Sequence, residues 1–238
     1  MGMGAGDLSG ADSSSVEELL NRAFERREPL LLENDQVVRA SFIAELVVAS
    51  SERGPGPALE LIGARITGDV DLSDCSVSVP MVFRNCRFEG DLVLDDASTS
   101  RIHLENCEIG TVRAARLRCE GPLWLRRLRK AVHVDLEDAR IAGEVDLQGS
   151  RVNNTSGIAV NLTTAHIDGD LVVKNTDLRG TLHLPGAVVS GALLLELAIA
   201  ANPGGVAVDG TSASLFGIGR ERGQVQREGS VRRGTAGR

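Results

Sequence analysis

The stretch "ARITGDVDLSD", residues 64–74, decides the fold because aliphatic residues and acids alternate along it. The apolar positions include Val70 and Leu72. Three acids lie between and beside them: Asp69, Asp71 and Asp74. Side chains switch sides at every residue of a β-strand, so this spacing predicts a short strand with one buried face. The acids would then face water, which favours neither a metal site nor a catalytic carboxylate pair.

The same pattern recurs with a period of about eleven residues, the mark of a repeat protein. Small residues form one column, which is stretched once by an insertion at 153–157. The column consists of Ala64, Cys75, Cys86, Ala97, Cys107, Ala139, Ser150, Ala165, Thr176, Ala187 and Ala198. Glycine recurs four positions later, at Gly68, Gly90, Gly121, Gly143, Gly169, Gly180 and Gly191. We expect these glycines to supply the backbone freedom of tight turns.

Each unit exposes its apolar side unless it stacks on neighbouring units. Two units would form one coil of about 22 residues, and residues 61–214 would form roughly seven coils, each rising ~4.8 Å, the normal strand spacing. The repeat therefore predicts an all-β solenoid.

The ends of the chain lack the repeat. Ser15 followed by Glu18 is a capping-box pattern that opens a helix to residue 26, and a second helix is expected at about residues 40–49. Four regions are predicted: a disordered N-terminus at 1–14, a helical cap at 15–57, a β-helix repeat domain at 58–214, and a disordered Gly/Arg-rich tail at 215–238. We hypothesise that the chain is a shortened relative that is read out of frame after about Leu215, which would leave the last coil uncapped.

Charge and composition restrict the possible partners. The tail from residue 215 onward carries six Arg and two Glu, a charge of +4. Since the net charge of the chain is −7, residues 1–214 carry −11. An acidic body argues against non-specific nucleic-acid binding. One Trp, no Tyr and five Phe leave few platforms for bases, sugars or flavins. The start lacks a secretory signal and no apolar run approaches ~20 residues, which predicts a cytoplasmic protein without a membrane span.

Four segments resemble the degenerate pentapeptide-type repeats of actinobacterial cytoplasmic proteins: "GARITGDVDLSD" (63–74), "CRFEGDLVLDD" (86–96), "ARIAGEVDLQG" (139–149) and "AHIDGDLVVKN" (165–175). The entry "VVRASFIAELVV" (37–48), followed by "LELIGARITG" (59–68), is similar to the entry of the same group. The resemblance covers about residues 36–214. It implies a right-handed β-helix of about 22-residue coils with a short N-terminal helical cap. Members often carry the label "membrane-associated oxidoreductase", without a catalytic motif that maps onto this chain.

The residues with chemical potential have structural interpretations. Three cysteines, Cys75, Cys86 and Cys107, occupy the small-residue column, where a free thiol acts as a small hydrophobe. Cys86 and Cys107 are expected to stack about one coil apart, and Cys119 takes an apolar position. The histidines, His103, His133, His166 and His183, are expected on the surface and far from one another. "GIGRERG" (217–223) lacks the βαβ unit of a dinucleotide site. No catalytic, cofactor-binding or metal-ligating residue is predicted.

Three functions remain open at this point. The leading hypothesis is a non-catalytic β-helical scaffold or protein-interaction module with an unknown protein partner, and with self-association through the solenoid end. The second is an acidic DNA mimic that inhibits a topoisomerase, although the outward columns are interrupted at Val93, Arg113, Trp124 and Arg126. The third is the oxidoreductase that the family label implies, for which the chain offers no redox motif.

Overall fold

The computed structural model describes residues 13–33, 36–54, 56–203, 205–219 and 231–232. Two helices, α1 (Ser13–Arg26) and α2 (Ala40–Ser51), lie in the N-terminal part. The strands are β1 (Leu30–Leu31), β2 (Val37–Arg39), β3 (Leu59–Ile62), β4 (Arg65–Thr67), β5 (Val70–Asp71), β6 (Ser76–Val77), β7 (Met81–Arg84), β8 (Arg87–Phe88), β9 (Leu92–Val93), β10 (Ser98–Thr99), β11 (Ile102–Glu105), β12 (Thr111–Arg113), β13 (Arg118–Cys119), β14 (Leu123–Arg126), β15 (His133–Asp135), β16 (Arg140–Ile141), β17 (Val145–Asp146), β18 (Arg151–Asn161), β19 (His166–Ile167), β20 (Leu171–Val172), β21 (Asp177–His183), β22 (Val188–Leu194), β23 (Ile199–Ala201), β24 (Val208–Asp209), β25 (Ser214–Gly219) and β26 (Val231–Arg232).

These strands stack in parallel into four faces that are visited in turn. Face 1 consists of β3, β7, β11, β14, β17, β20 and the second half of β22. Face 2 consists of β4, β8, bridges through Glu108, Lys130 and Ala131, the first halves of β18 and β21, and β23. Face 3 consists of β5, β9, β12, β15, the second halves of β18 and β21, β24 and β26. Face 4 consists of β6, β10, β13, β16, β19 and the first halves of β22 and β25.

The chain is thus a parallel β-solenoid of about seven coils of roughly 22 residues, as the repeat predicts. Pairings on face 1 give the coil length, since Leu59 pairs with Met81 and Met81 with Ile102. A longer step of 26 residues, from Val145 to Leu171, contains the predicted insertion. The handedness of the winding stays a prediction.

The interior contains the predicted apolar columns. Val70 and Leu72, like most inward side chains of the coils, are fully buried. The acids that alternate with them, Asp69, Asp71 and Asp74, are exposed. The opening stretch therefore contains two short strands, β4 and β5, and its apolar and acidic side chains alternate between the interior and solvent, as the spacing predicts.

Left-handed residues form two opposite corners of every coil. Each lies directly before a member of the small-residue column or its equivalent, as Asp74 does before Cys75. The residues with positive φ at this position are Gly63, Asp74, Asn85, Asp96, Asn106, Arg116, Arg127, Asp138, Gly149, Thr164, Asn175, Gly186, Leu197 and Ser212. The Cys75 N–H donates to Leu72 O at 3.1 Å, which closes a turn with positive φ at its third position. Asp and Asn recur here because they tolerate the left-handed conformation.

Most of the recurrent glycines do not have the turn role that the sequence predicts for them. Of that column, only Gly68 and Gly180 have positive φ. A Cβ added to Gly143 would lie 2.7 Å from Pro122 N, and one on Gly169 would lie 2.8 Å from Glu144 N. Glycine is needed at this corner, between faces 4 and 1, because successive coils approach too closely for a side chain.

The N-terminal residues cover the first coil, which confirms the predicted helical cap. Strands β1 and β2 add one strand to faces 1 and 2, while α2 contacts β5 and β6. Glu17 of α1 is buried and accepts hydrogen bonds from Arg39, Nε to Oε1 at 2.8 Å and a terminal nitrogen to Oε2 at 2.7 Å. This pair attaches α1 to the start of α2.

The predicted start of the tail, residue 215, falls inside β25. Leu215 and Ile218 pair with Val189 and Leu193 of β22, so the solenoid continues to Gly219. The remaining tail residues other than 231–232, and the N-terminal residues 1–12, lie outside the described residues.

Candidate interaction surface on face 1

Face 1 presents two neighbouring outward ladders that run across successive coils. The first contains Glu60, Val82, His103, Trp124 and Asp146 in register. The second contains Ile62, Arg84, Glu105 and Arg126. We call the polar and aromatic members, together with Glu144 at the edge of the face, the face 1 cluster: Glu60, Arg84, His103, Glu105, Trp124, Arg126, Glu144 and Asp146.

Trp124 and Arg126 form the centre of the face 1 cluster. The guanidinium carbon of Arg126 lies 4.3 Å from the centroid of the indole ring, a cation–π contact. Arg126 Nε donates to Asp146 Oδ2 at 2.6 Å, and a terminal nitrogen donates to Glu144 Oε1 at 3.1 Å. The indole Nε1 donates to the same Glu144 oxygen at 2.7 Å. Both carboxylates thus hold the ring and the guanidinium against the sheet.

Asp146 is an outward carboxylate that is nevertheless only 2% exposed. Besides the bond from Arg126, it accepts a hydrogen bond from Gln148 N at 2.7 Å. Since a buried charge is costly unless it is paired and hydrogen-bonded, Asp146 and Arg126 depend on each other.

His103 is buried, and the prediction that it lies on the surface is wrong. The residue is 8% exposed because Val82 and Trp124, one coil to either side, cover it. Its ring meets Trp124 edge to face, with centroids 5.0 Å apart. Burial and then the positive charges of Arg84 and Arg126 lower the pKa of His103 to about 4. The imidazole is therefore neutral at pH 7.

Ion pairs complete the cluster on its N-terminal side. Arg84 pairs with Glu60 and, at 3.4 Å, with Glu105. Glu105 also lies 3.5 Å from His103 Nε2 and pairs with Arg127. Each arginine of the face 1 cluster is thereby paired with two carboxylates, so the side chains of this platform are already in place.

The other histidines lie on different faces. His133 and His183 lie on face 3, where His183 Nδ1 is 3.4 Å from an Asp209 oxygen, and His166 is exposed on face 4. In the described ranges, no group of three or more His, Cys, Asp or Glu could hold a metal ion.

The cysteines have structural positions. All four are free. Cys86 and Cys107 are buried in successive coils at the corner between faces 1 and 2, where their thiols donate to Leu61 O and Phe83 O at 3.4 Å. A hydrogen bond with Cys86, together with burial, raises the pKa of Cys107. A thiol that stays protonated is a poor nucleophile.

The acids of the opening stretch organise the backbone. Asp69 Oδ1 accepts a hydrogen bond from Asp91 N of the next coil at 2.8 Å. Asp71 Oδ1 accepts from the hydroxyl and the N–H of Ser73, which lower the pKa of Asp71. Asp74 is one of the left-handed corner residues. The "GIGRERG" motif extends beyond Gly219 and so lies partly outside the described residues.

No family model, curated protein or solved structure matches this chain. Within the residues that the structure describes, neither helix is long and apolar enough to cross a membrane.

Proposed function

We propose that this chain is a non-catalytic scaffold or protein-interaction module that binds a partner protein through face 1. The observation that carries the proposal is the stacked Trp124–Arg126 pair, held flat by Glu144 and Asp146. Trp and Arg are among the residues that most often dominate the binding energy of protein interfaces. A platform whose side chains are already fixed loses little entropy when a partner docks.

The sign of the charges favours this function over a DNA mimic. A mimic needs a continuous acidic surface, whereas arginines alternate with carboxylates on face 1. The oxidoreductase that the family label implies, the cytoplasmic location and self-association through the solenoid end stay predictions.

The experiment is affinity purification from an extract of the source cells with wild-type and Trp124→Ala baits, quantified by mass spectrometry. Arg118→Ala is the matched control, because Arg118 is an exposed residue of face 4. We expect a protein that wild type and the control both recover to fall about tenfold or more with Trp124→Ala, the loss typical of an interface hot spot. Equal recovery by all three baits would contradict the proposal.

A second measurement tests whether the partner binds at face 1. Trp124 is the only Trp, and the chain has no Tyr, so intrinsic fluorescence reports on face 1 alone. Adding the recovered partner to wild-type protein should shift the emission of Trp124, obtained by subtracting the spectrum of the partner alone from that of the mixture. An unchanged emission spectrum at saturating partner would place the interface elsewhere.

A further inference from the structure

A second surface lies on face 2, where the chain forms a groove of about 380 Å³. Four cations line it: Arg129, Lys130, Arg151 and Arg179. Asp177 is the only acid among the lining residues. The groove is therefore locally positive in a protein whose net charge is −7.

The 26-residue coil builds one wall of this groove. Its insertion projects at Asn153 and Thr155, and Asn154 Nδ2 closes the loop by donating to Ile158 O at 2.9 Å. Gly180 of the next coil lies under the loop, where an added Cβ would come 2.8 Å from Gly157 O. The insertion is thus folded onto the solenoid and gives face 2 a concave shape.

The groove holds two like charges next to each other, in a ladder where Glu108 precedes Lys130 and Asp177 follows Arg151. Lys130 and Arg151 lie one coil apart, because their neighbours Ala131 and Val152 pair in register. Among the described residues, neither cation has an ion-pair partner. Like charges in opposed positions of a sheet are destabilising, so an anion bound between them would relieve a cost that the empty groove carries.

The remaining two cations are only loosely engaged. Arg129 lies 3.7 Å from Glu108, and its side chain is 47% exposed. Arg179 pairs with Asp177 of the same strand at 2.9 Å, again at about half exposure. Exposed pairs of this kind contribute about 0–1 kcal/mol, so both guanidinium groups can turn toward a ligand at little cost.

We propose that the face 2 groove binds an acidic, extended peptide segment of a partner protein, independently of face 1. The cations span three coils, or about 10 Å, a length that about three residues of an extended peptide cover. Two exposed apolar side chains lie beside the groove, Val132 next to Ala131 and Ile199 in register with Asp177. Their exposed apolar surface is positioned to contact apolar side chains of a bound peptide.

A nucleic acid fits this groove less well than a peptide. Its lining contains no aromatic side chain on which a base could stack. The acidic remainder of the protein would also repel a long phosphate backbone.

The test is binding of fluorescein-labelled hexaglutamate, measured by fluorescence anisotropy at low ionic strength, with hexaglutamine as the uncharged control peptide. We expect saturable binding of hexaglutamate, and about tenfold weaker binding by the double variant Lys130→Gln, Arg151→Gln. Arg118→Gln removes an exposed arginine of face 4 and should leave the affinity within about twofold of wild type.

Several results would overturn the proposal. The proposed peptide site is contradicted if hexaglutamate does not bind wild-type protein. It is also contradicted if hexaglutamate binds the double variant as tightly as wild type. A single-stranded oligonucleotide that binds more tightly than hexaglutamate and loses affinity in the double variant would assign the groove to nucleic acid. Displacement of the peptide by inorganic phosphate at a lower concentration than by free hexaglutamate would assign it to a phosphate group. Thermal unfolding of both variants at a temperature no lower than that of wild type shows that the fold is intact.

Discussion

Faces 1 and 2 use the same four-sided coil and similar residues, yet they differ in how closely their basic side chains pair with carboxylates. On face 1, Arg126 meets Asp146 of the next coil and the ring of Trp124. On face 2, Lys130 and Arg151 are adjacent members of a ladder that Glu108 precedes and Asp177 follows, and among the described residues neither cation forms an ion pair. The comparison teaches that ion pairing between side chains of successive coils decides whether a face presents mutually paired charges or an open site for a charged ligand.

The largest expected effect is a loss of stability caused by a substitution in the face 1 cluster. Asp146→Ala should lower the free energy of unfolding by about 3 kcal/mol, because it leaves the half-buried Arg126 guanidinium without its closest carboxylate. Asp177→Ala removes a carboxylate of an exposed pair on face 2 and should cost less than about 1 kcal/mol. Urea denaturation of both variants measures the difference. Equal losses would show that the two faces do not differ as the structure indicates.

A second substitution tests the corner that leads into face 1. Gly143→Ala should destabilise the protein by about 2 kcal/mol, because the new Cβ meets Pro122 of the preceding coil. Gly56→Ala is the control, since its Cβ would only touch Val79 at 3.7 Å. Thermal unfolding compares the two variants. A Gly143→Ala protein as stable as wild type would mean that the coils are not packed so closely there.

The third effect is a pH dependence between about pH 6.5 and 4 that arises at His103 of face 1. The pKa of His103 is lowered to about 4, whereas histidine in an unfolded chain has a pKa near 6.5. Between these values the unfolded chain binds a proton that the folded chain does not, so stability falls as the pH drops from about 6.5 to 4. The urea midpoint should therefore depend on pH more steeply in wild type than in His103→Gln.

His166→Gln, on exposed face 4, is the control for this experiment and should keep the wild-type slope. Protonation of His103 next to Trp124 should also quench the emission of that single tryptophan. If His103→Gln and wild type had identical slopes, the buried imidazole of face 1 would have no role in acid sensitivity.

The smallest expected effect is a gain in the affinity of the face 2 groove for hexaglutamate. Asp177→Asn removes the only acid that lines the groove and should tighten hexaglutamate binding by about threefold, or about 0.6 kcal/mol. Anisotropy titrations against wild type measure this gain. A weaker affinity would mean that Asp177 holds Arg179 in the position that binds.

The sequence alone predicts what depends on neighbours along the chain. The alternation at Val70 and Leu72 is enough to predict a strand, and the repeat is enough to predict stacked coils of about 22 residues. Even the insertion near Asn154 is visible as a stretched step in the small-residue column.

What the sequence could not supply depends on contacts between coils. His103 alternates like any outward residue, and only the register with Val82 and Trp124 buries it. The glycine column has the same spacing whether a glycine permits a turn or a close contact between successive coils. The sequence therefore predicts a turn role for Gly143, which in fact lies against Pro122 of the preceding coil. The groove likewise requires knowing that Arg151 lies one coil beyond Lys130.

Both surfaces exist only if residues about one coil apart lie one strand spacing apart. Double electron–electron resonance between nitroxides at Ser76→Cys and Ser214→Cys, with Cys75→Ser as background, measures this most directly, because both serines are exposed on face 4. Six register steps separate them. At the normal strand spacing these steps predict about 30 Å. A distance of about 60 Å, as expected for stacked eleven-residue layers, would contradict the four-sided coil and both surfaces built on it.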